Sequence, residues 1–294
     1  WVHSDHHALW INPNYTNQMY LATDGGIYYS LDRGATWMFV YNLPVGQFYH
    51  VACDNCTPYR MYGGLQDNGS WMAPSAAPGG VNNSSWQDMY GGYGFWVQPD
   101  PTDSNIAYAE SQGGNMGRID LRTFKSVDIT PQAGKDEEKL RWNWNTPIVT
   151  GQANGRNLYT AAQYLFKSKN QGRIWQRISP DLTTNDKKKQ QQEESGGLSE
   201  DNTSAENHCT IFTIAESPLD ENLIWVGTDD GNLQVVTDGG KSWINVSKNY
   251  EAAGIPAQTW VSSIEPSRFD KNTVYVTFDN HMYGDMNTYV AKST

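Results

Sequence analysis

Ser30-Leu31-Asp32-Arg33-Gly34-Ala35-Thr36-Trp37 is the stretch that decides the fold, because two weaker copies of it occur later in the chain. Residues 168–175 (Ser-Lys-Asn-Gln-Gly-Arg-Ile-Trp) keep the serine, glycine and tryptophan but carry Asn170 in place of the aspartate. Residues 236–243 (Val-Thr-Asp-Gly-Gly-Lys-Ser-Trp) keep the aspartate, glycine and tryptophan. We call these three segments box turns. Their recurrence predicts a fold built from copies of one structural unit.

The chemistry of the box turn explains its residue types. Serine and aspartate side chains beside a tight turn accept backbone N–H bonds and hold a hairpin closed. The glycine supplies a positive φ, and the tryptophan packs a large apolar surface between sheets. We therefore expect structural roles, not catalytic ones, for ten residues: Ser30, Asp32, Gly34, Trp37, Ser168, Gly172, Trp175, Asp238, Gly240 and Trp243.

Short strands separated by turn residues surround each box turn. In the first unit, strands are predicted at 8–13, 18–23 and 27–30, followed by the box turn and a fourth strand at 37–40. The first two strands of this pattern recur at five further places: 49–52 with 60–64, 95–100 with 105–109, 147–150 with 157–161, 211–215 with 223–227, and 261–266 with 273–277. Six units of roughly 40 to 65 residues match the blade period of a β-propeller. A β-sandwich or a solenoid is the alternative, which the tryptophan-ended turns disfavour.

The box turns resemble the Asp-box, or bacterial neuraminidase repeat, and this resemblance implies a propeller of four-stranded blades. Residues 5–13, 62–71 and 175–183 resemble large exported bacterial proteins described as glycosyl-hydrolase-like, with sortilin-type propellers. Related propellers include sialidases, two-propeller xyloglucanases and the peptide-binding luminal domain of sortilin, so the fold does not select an activity. The arginine cluster that a sialidase needs for a sialic carboxylate is not found in the sequence.

Both ends of the chain interrupt the repeat. Residue 1 falls immediately before an inner strand, and Ser293 aligns with Ser30 just as the chain stops. A blade without its fourth strand would leave an unpaired edge. We therefore expect residues 1–294 to form about six blades, with the ring completed by the remainder of the same polypeptide.

Composition restricts the partners. A net charge of −11 argues against a nucleic-acid backbone, because phosphate binding needs a basic stripe. No apolar run has the length of a membrane span. Few Lys and Arg with many Asn, Gly, Tyr and Trp is typical of secreted β proteins, so we expect a secreted or cell-surface location.

Cysteines and one insertion interrupt the repeat pattern. Cys53 and Cys56 form a C-x-x-C pair, and Cys209 stands alone. A metal site would need a second pair, and a redox motif would open a helix. We therefore expect a local disulfide, with free buried thiols as the alternative. The insertion at about 183–207 carries opposite charges at helical spacing over 187–194, which fits either a short solvated helix or a mobile surface loop.

Blade geometry nominates a functional face. The loops before the first strand and between the second and third strands share one face, here called the upper face, whereas box turns lie on the opposite, lower face. Ligands of propellers usually meet the upper face around the central channel. The expected ligand-binding residues are His6, His7, Tyr49, His50, Gln66, Tyr93, Trp142, Trp144, His208 and Trp260.

Three kinds of chemistry fit this face. Aromatic platforms beside amides and acids suit sugars, although the aromatics are equally consistent with packing between blades. Glycoside hydrolysis would use two carboxylates from Asp5, Asp67, Glu110 and Glu206, and no spacing selects a pair. Alternation along an extended segment would place His3, Asp5 and His7 on one side as ligands for a divalent metal, and no other cofactor is indicated. We expect a binding or scaffold module for a glycan, peptide or partner protein, with glycoside hydrolase as the alternative.

Overall fold

The computed structural model describes residues 2–43, 45–194 and 203–293 as an all-β propeller with six blades. Five blades have four antiparallel strands and the sixth has three. Blade 1 comprises β1 (His6–Ile11), β2 (Met19–Thr23), β3 (Gly26–Ser30) and β4 (Met38–Phe39). Blade 2 comprises β5 (Phe48–Cys53), β6 (Arg60–Leu65), β7 (Ser70–Pro74) and β8 (Gln87–Tyr90). Blade 3 comprises β9 (Gly94–Pro99), β10 (Ile106–Ser111), β11 (Asn115–Asp120) and β12 (Lys125–Asp128). Blade 4 comprises β13 (Ile148–Thr150), β14 (Leu158–Ala161), β15 (Leu165–Ser168) and β16 (Gln176–Arg177). Blade 5 comprises β17 (Ile211–Ser217), β18 (Asp220–Thr228), β19 (Leu233–Val236) and β20 (Ile244–Asn245). Blade 6 comprises β21 (Trp260–Pro266), β22 (Val274–Asp279) and β23 (Tyr289–Ser293).

Strands follow one another in sequence order within every blade, so each blade is a simple up-and-down meander. The predicted repeat is confirmed, and the ring formed by the six blades is not closed. A single α-helix among the described residues, α1 (Ser247–Ala252), follows blade 5, and short 3-10 turns occupy Asn83–Ser85, Gln112–Gly114, Lys187–Lys189 and His281–Tyr283. No helix in these parts of the chain has the length and apolar character needed to cross a membrane.

Neighbouring blades pack face to face, and hydrophobic cores fill the four junctions from blade 2 to blade 6. A tyrosine at the same register of the second strand closes three of these junctions. Tyr62, Tyr108 and Tyr159 are at most 2% exposed. Each of these rings packs among buried aliphatic side chains from the two facing blades.

The junction between blades 1 and 2 differs from the others. Trp10 and Tyr20 occupy the positions that face the next blade, yet they are 50% and 39% exposed, and Val51 on the facing blade is 75% exposed. Hydrogen bonds join the two blades at the rims, from Asn68 Nδ2 to the Asp24 carbonyl (3.1 Å) and from Asn83 Nδ2 to the Tyr41 carbonyl (2.7 Å). Blade 1 is thus attached at its edges while its aromatic face stays open.

The loop after the first strand begins with the same side-chain cap in five blades. In each, a side-chain oxygen accepts the backbone N–H of the residue two places on, as in an Asx or ST turn. The pairs are Asn12 with Asn14 (2.9 Å), Asp54 with Cys56 (3.1 Å), Asp100 with Thr102 (2.7 Å), Ser217 with Leu219 (3.2 Å) and Ser267 with Phe269 (3.1 Å).

Blade 4 has Gly151 at the capping position, and a side chain from the next blade replaces the missing cap. Glu216 of β17 reaches across the junction, and its Oε1 accepts the Ala153 N–H at 2.9 Å. A Cβ at residue 151 would lie 2.8 Å from that same oxygen. Glu216 Oε2 also accepts from the Tyr159 hydroxyl (2.6 Å) and Asn157 Nδ2 (2.8 Å), so this carboxylate ties blade 5 to blade 4.

The box turns have the geometry that their residue types predict. Ser30 Oγ accepts the Gly34 N–H at 2.8 Å, and Ser168 Oγ accepts the Gly172 N–H at 3.0 Å. Asp32 and Asp238 accept backbone N–H groups within their own turns. The three box glycines have positive φ: Gly34 (83°), Gly172 (76°) and Gly240 (114°). Trp175 and Trp243 donate their indole N–H to carbonyls of Ile129 (2.6 Å) and Ile178 (3.0 Å), whereas Trp37 packs against Gly34 of its own turn.

One local expectation needs correction, and a second is described only in part. Cys53 and Cys56 are free thiols, not a disulfide; Asp54 between them binds Arg60, whose Nη2 donates to Cys56 Sγ at 3.5 Å. Within the insertion, only the 3-10 turn Lys187–Lys189 forms in the described residues, and residues 195–202 lie outside them.

Candidate functional site

Residues 142–146 lie at the centre of the upper face, where they connect four blades. The Trp142 ring packs on the backbone of Gly114 in blade 3, since a Cβ at residue 114 would lie 2.6 Å from it. The Trp144 carbonyl accepts the Gly113 N–H (3.1 Å), and the Trp144 ring lies 5.3 Å from that of Tyr93. This segment precedes the short strand β13. The rings of Trp142 and Trp144 pack against blade 3 on one side and are partly exposed on the other.

Asn145 extends this segment to blade 2. Its side-chain amide lies 3.1–3.2 Å from His50 Nε2, and the His50 ring stacks on Trp96 at 3.8 Å. Burial of the imidazole lowers the pKa of His50 to about 4, although the bond to Asn145 opposes this effect. His50 is therefore neutral at pH 7 and functions as a polar bridge, not as a charged ligand.

Asn143 extends the same segment to blade 5. Its Nδ2 donates to Thr210 Oγ1 at 2.8 Å, and Thr210 donates its N–H (2.8 Å) and hydroxyl (2.6 Å) to the buried carboxylate of Asp229. Burial, followed by the neighbouring Asp230, raises the pKa of Asp229 to about 7. His208 Nδ1 lies 3.6 Å from the same carboxylate, and burial lowers the pKa of this histidine.

Glu110 is closed off from solvent. Its side chain is fully buried, and Oε1 accepts the Gly114 N–H at 3.2 Å. Oε2 has no hydrogen-bond partner among the described residues, and burial raises the pKa of Glu110 well above its ordinary value. Burial favours the neutral form of this carboxyl, and its closed position leaves it no direct access to a substrate, so Glu110 supports the turn at 112–114.

Three carboxylates, those of Asp5, Asp24 and Asp67, lie near one another at the rim between blades 1 and 2. Burial and then Asp24 raise the pKa of Asp67, with a further contribution from Asp5, while His3 and the Tyr93 hydroxyl oppose the change. Asp24 Oδ1 is 2.5 Å from His7 Nε2. Next to this cluster, the Tyr49 ring meets that of Phe95 in a tilted contact with centroids 4.3 Å apart, and its hydroxyl donates to Gln66 Oε1 at 3.1 Å. The rim is therefore acidic and aromatic.

A pocket of about 470 Å³ opens beside Trp142 on the same face. Its lining is mainly polar and comprises Gly113, Glu138, Lys139, Leu140, Arg141, Trp142, Gln190, Gln192, Glu193, Thr203, Ser204 and Asn207. Arg141 forms the buried wall, where its guanidinium binds Asp181 (2.7 Å), Glu138 (3.0 Å) and the Cys209 carbonyl (3.2 Å). This arrangement can hold a small polar ligand against one aromatic ring.

The remaining predicted residues do not converge on one point. Glu206 is exposed and accepts from the Thr203 backbone N–H (3.0 Å). His6 is exposed on β1, and the Trp260 ring meets Phe212 edge-on at 4.8 Å, with its buried N–H unpartnered in the described part of the chain. The four acids proposed for catalysis are thus divided: Asp5 and Asp67 lie at the rim, Glu110 is buried, and Glu206 lies at the insertion.

The predicted metal site is not formed. His3 Nδ1 lies 3.6 Å from Asp5, whereas His7 binds Asp24 instead. His3 and Asp5 precede β1, which begins at His6, so residues 3–7 do not form one regular strand with strict alternation of sides. Across residues 2–43, 45–194 and 203–293, no group of three or more His, Cys, Asp or Glu side chains is arranged to hold a metal ion.

Sequence reasoning missed Arg141 and Asp181, which organise the wall of the pocket. They are far apart in sequence, and no motif connects them. Asn143 and Asn145 stand out in sequence only through the repeated Trp-Asn pairs at 142–145. A buried arginine with two acidic partners can be recognised only after folding brings them together.

Comparisons with known proteins support the fold. A GH74 enzyme from Niastella koreensis is 17% identical over 92% of this chain and 43% of its own, with a TM-score of 0.52. An ancestral GH74 enzyme is 16% identical over 98% of this chain and 38% of its own, with a TM-score of 0.54. The GH74 xyloglucanase from Xanthomonas campestris is 14% identical over 92% of this chain and 44% of its own, with a TM-score of 0.50. The chain thus spans about two fifths of the length of these enzymes. No protein-family model matches the chain, and no curated protein matches it in sequence.

Proposed function

We propose that this propeller is a carbohydrate-binding module whose ligand occupies the Trp142 pocket on the upper face. The observation that carries the proposal is the pocket itself, about 470 Å³ in volume, with one aromatic ring among hydroxyl, amide and charged side chains. Sugar rings stack their C–H faces on aromatics, and their hydroxyls bind to side chains of this kind. A volume of this size accommodates a ligand of a few sugar residues.

The placement of the acids favours binding over catalysis. Hydrolysis needs two solvent-facing carboxyls on either side of one bond, about 5–10 Å apart. Next to the pocket, Glu110 is fully buried and Glu206 is engaged with Thr203. Of the two acids that line the pocket, Glu138 binds Arg141 and Lys187, and Glu193 lies 3.7 Å from Lys139. A peptide or partner protein would meet the same face and is the competing ligand class.

Titration calorimetry with neutral oligosaccharides, such as cellotetraose and a xyloglucan heptasaccharide, tests the proposal. Trp142→Ala should weaken binding of the preferred sugar about tenfold or more, since it removes the aromatic platform. Trp142→Phe should retain part of the affinity, because a smaller ring still covers Gly114. Phe269→Ala is the matched control, as this ring is 96% exposed in the β21–β22 loop on the lower face.

Two results would refute carbohydrate binding. One is the absence of saturable binding for every oligosaccharide tested. The other is equal affinity of Trp142→Ala and Phe269→Ala while both variants keep the wild-type urea midpoint.

Glycoside hydrolysis is the second candidate, and the acidic rim is the observation that favours it. A carboxyl with a raised pKa beside an ionised one is the arrangement of a general acid and its partner, and Asp67 beside Asp24 and Asp5 has this character. Release of reducing ends from the same sugars, reduced about 100-fold or more by Asp67→Asn, would support it. Absence of release by the wild-type protein would exclude it for those substrates.

Family and location are part of the proposal. The shared hydrogen bonds of the box turns support membership of the Asp-box repeat group, with exported sortilin-type relatives. The acidic composition, rich in Tyr and Trp, supports a secreted or cell-surface location. Fractionation of the natural host with an antibody to this protein tests the location.

A further inference from the structure

Three cationic side chains line a second pocket, on the lower face between blades 3 and 4. Arg156 comes from the β13–β14 loop, and Lys169 and Arg173 come from the box turn of blade 4. The pocket has a volume of about 310 Å³ and is completed by Asp100, Thr102, Asn170 and Gln171. Within the described residues, none of the three cations lies within 4.0 Å of a carboxylate oxygen.

The acids near this pocket are already engaged. Asp100 Oδ1 accepts from the Thr102 N–H (2.7 Å) and hydroxyl (2.7 Å), and Oδ2 accepts from the Tyr108 hydroxyl and Gln171 Nε2 (3.2 Å). Glu221 is within electrostatic range of Lys169, and its Oε2 accepts from the side-chain amides of Asn154 (3.0 Å) and Asn157 (3.1 Å). The pocket therefore keeps an excess of positive charge, in a chain whose net charge is −11.

The box turn of blade 4 carries an amide, Asn170, at the position where the other two box turns carry the carboxylates of Asp32 and Asp238. Asn170 Oδ1 accepts from Ser168 Oγ (2.9 Å) and the Ile174 N–H (2.9 Å), as Asp32 Oδ1 does from Ser30 Oγ (2.8 Å) and the Thr36 N–H (2.8 Å).

Asp32 also uses its second oxygen, which binds the Thr36 hydroxyl at 2.6 Å. Ile174 has no hydroxyl at the corresponding place, so Asn170 Nδ2 has no partner among the described residues. An amide N–H₂ thus replaces the second carboxylate oxygen in the box turn that lines this pocket.

We propose that this pocket binds a doubly charged tetrahedral oxyanion, sulfate or phosphate, either free or as the ester group of a larger ligand. Guanidinium, ammonium and amide donors around one cavity form charge-assisted hydrogen bonds to such oxygens. The pocket lies on the face opposite Trp142, so the proposal is independent of carbohydrate binding there.

Calorimetry with sodium sulfate and sodium phosphate, at ionic strength matched with sodium chloride, measures the binding. The double variant Arg156→Gln/Arg173→Gln should weaken sulfate binding about tenfold or more. Arg268→Gln/Lys271→Gln is the control, because it removes the same charge from exposed residues of the lower-face loop of blade 6 and should not change affinity.

Asn170→Asp separates ligand binding from folding. The variant keeps the acceptor of the box turn and restores the residue found in the other two box turns, so its urea midpoint should match that of the wild type. It also places a carboxylate in the pocket, so affinity for sulfate should fall about tenfold or more. A merely structural role for Asn170 would leave sulfate binding unchanged.

Galactose 6-sulfate distinguishes the two sources of the anion. Tighter binding of the ester than of inorganic sulfate indicates an esterified ligand, and equal affinities indicate the free ion; both support the pocket. The proposal is overturned if sulfate shows no saturable binding, or if Asn170→Asp or the double arginine variant binds as tightly as the control.

Discussion

Glu216→Ala should destabilise the protein strongly, because one carboxylate replaces the cap that blade 4 lacks. The side chain is 3% exposed and accepts four hydrogen bonds across the junction of blades 4 and 5. Two of the donors, the Tyr159 hydroxyl and Asn157 Nδ2, are buried and would lose this partner. The other two, the N–H groups of Ala153 and Asn154, lie nearer the surface, where water can replace the oxygen.

The expected magnitude follows from the two buried donors. Each buried N–H or O–H left without an acceptor costs about 1–3 kcal/mol. Tyr159 would lose its acceptor and Asn157 Nδ2 would keep only Glu221, so Glu216→Ala should lower the free energy of unfolding by about 3 kcal/mol. Glu216→Gln keeps the volume but sets an N–H₂ against a donor, and about 2 kcal/mol is expected. Glu221→Ala is the control, since this half-exposed acid binds Asn157 and Asn154 from the solvent side; a loss below about 1 kcal/mol is expected.

Urea unfolding followed by tryptophan fluorescence and far-ultraviolet circular dichroism gives these free energies from the midpoint and slope. The reasoning is refuted if Glu216→Ala and Glu221→Ala have the same effect, or if Glu216→Gln is as stable as the wild type. Either result would mean that the apolar core of the junction, and not the hydrogen bonds to the Glu216 carboxylate, holds blades 4 and 5 together.

Three further outcomes are expected. The pKa of Asp229 is about 7 in the folded protein and about 3.9 in the unfolded chain, so the folded state binds more protons between these values. The free energy of unfolding should therefore fall by up to about 4 kcal/mol as pH rises from 4 to 7. Asp229→Asn should flatten this slope in urea midpoints measured across the range, and an unchanged slope would contradict the assignment. Gly64→Ala would place a Cβ 2.3 Å from the Gly94 and Phe95 backbone and should cost about 3 kcal/mol or more, whereas Gly91→Ala, with no atom within 4 Å of its Cβ, should cost little; similar midpoints would contradict the close approach of the strands. Ser30→Ala removes a buried hydroxyl that accepts from the Gly34 N–H and should cost about 1–2 kcal/mol by the same assay, while no loss would show that the box turn does not need its serine.

The repeat could be predicted because each blade encodes its own turns locally. Positive-φ glycines, Ser and Asp caps, and tryptophan at the end of the box are chosen by residues within eight positions of one another, so the sequence shows them directly. The same alignment also shows where the pattern fails: Gly151 stands where Asn12, Asp54, Asp100, Ser217 and Ser267 stand in other blades. It does not show that Glu216 supplies the missing oxygen, because that contact crosses a blade junction.

The predicted ligand-binding residues stay a prediction, and the structure adds the contacts among them. The Trp144 ring lies 5.3 Å from that of Tyr93, and Trp142 lines the larger pocket. His3 contacts Asp5 whereas His7 binds Asp24, so these three residues form no single ligand cluster in the described structure. Cys53 and Cys56 are free thiols, in a loop where Asp54 binds Arg60.

The sequence by itself determined the blade, its strands and its turns, since all of these depend on neighbours along the chain. Only the tertiary structure decided the raised pKa of Glu110 and of Asp229, the bridge from His50 to Asn145, and the cationic pocket around Asn170. Each of these depends on burial or on charges that residues from different blades bring within a few ångströms. Burial and charge act through space, so their effects cannot be obtained from the order of residues along one strand.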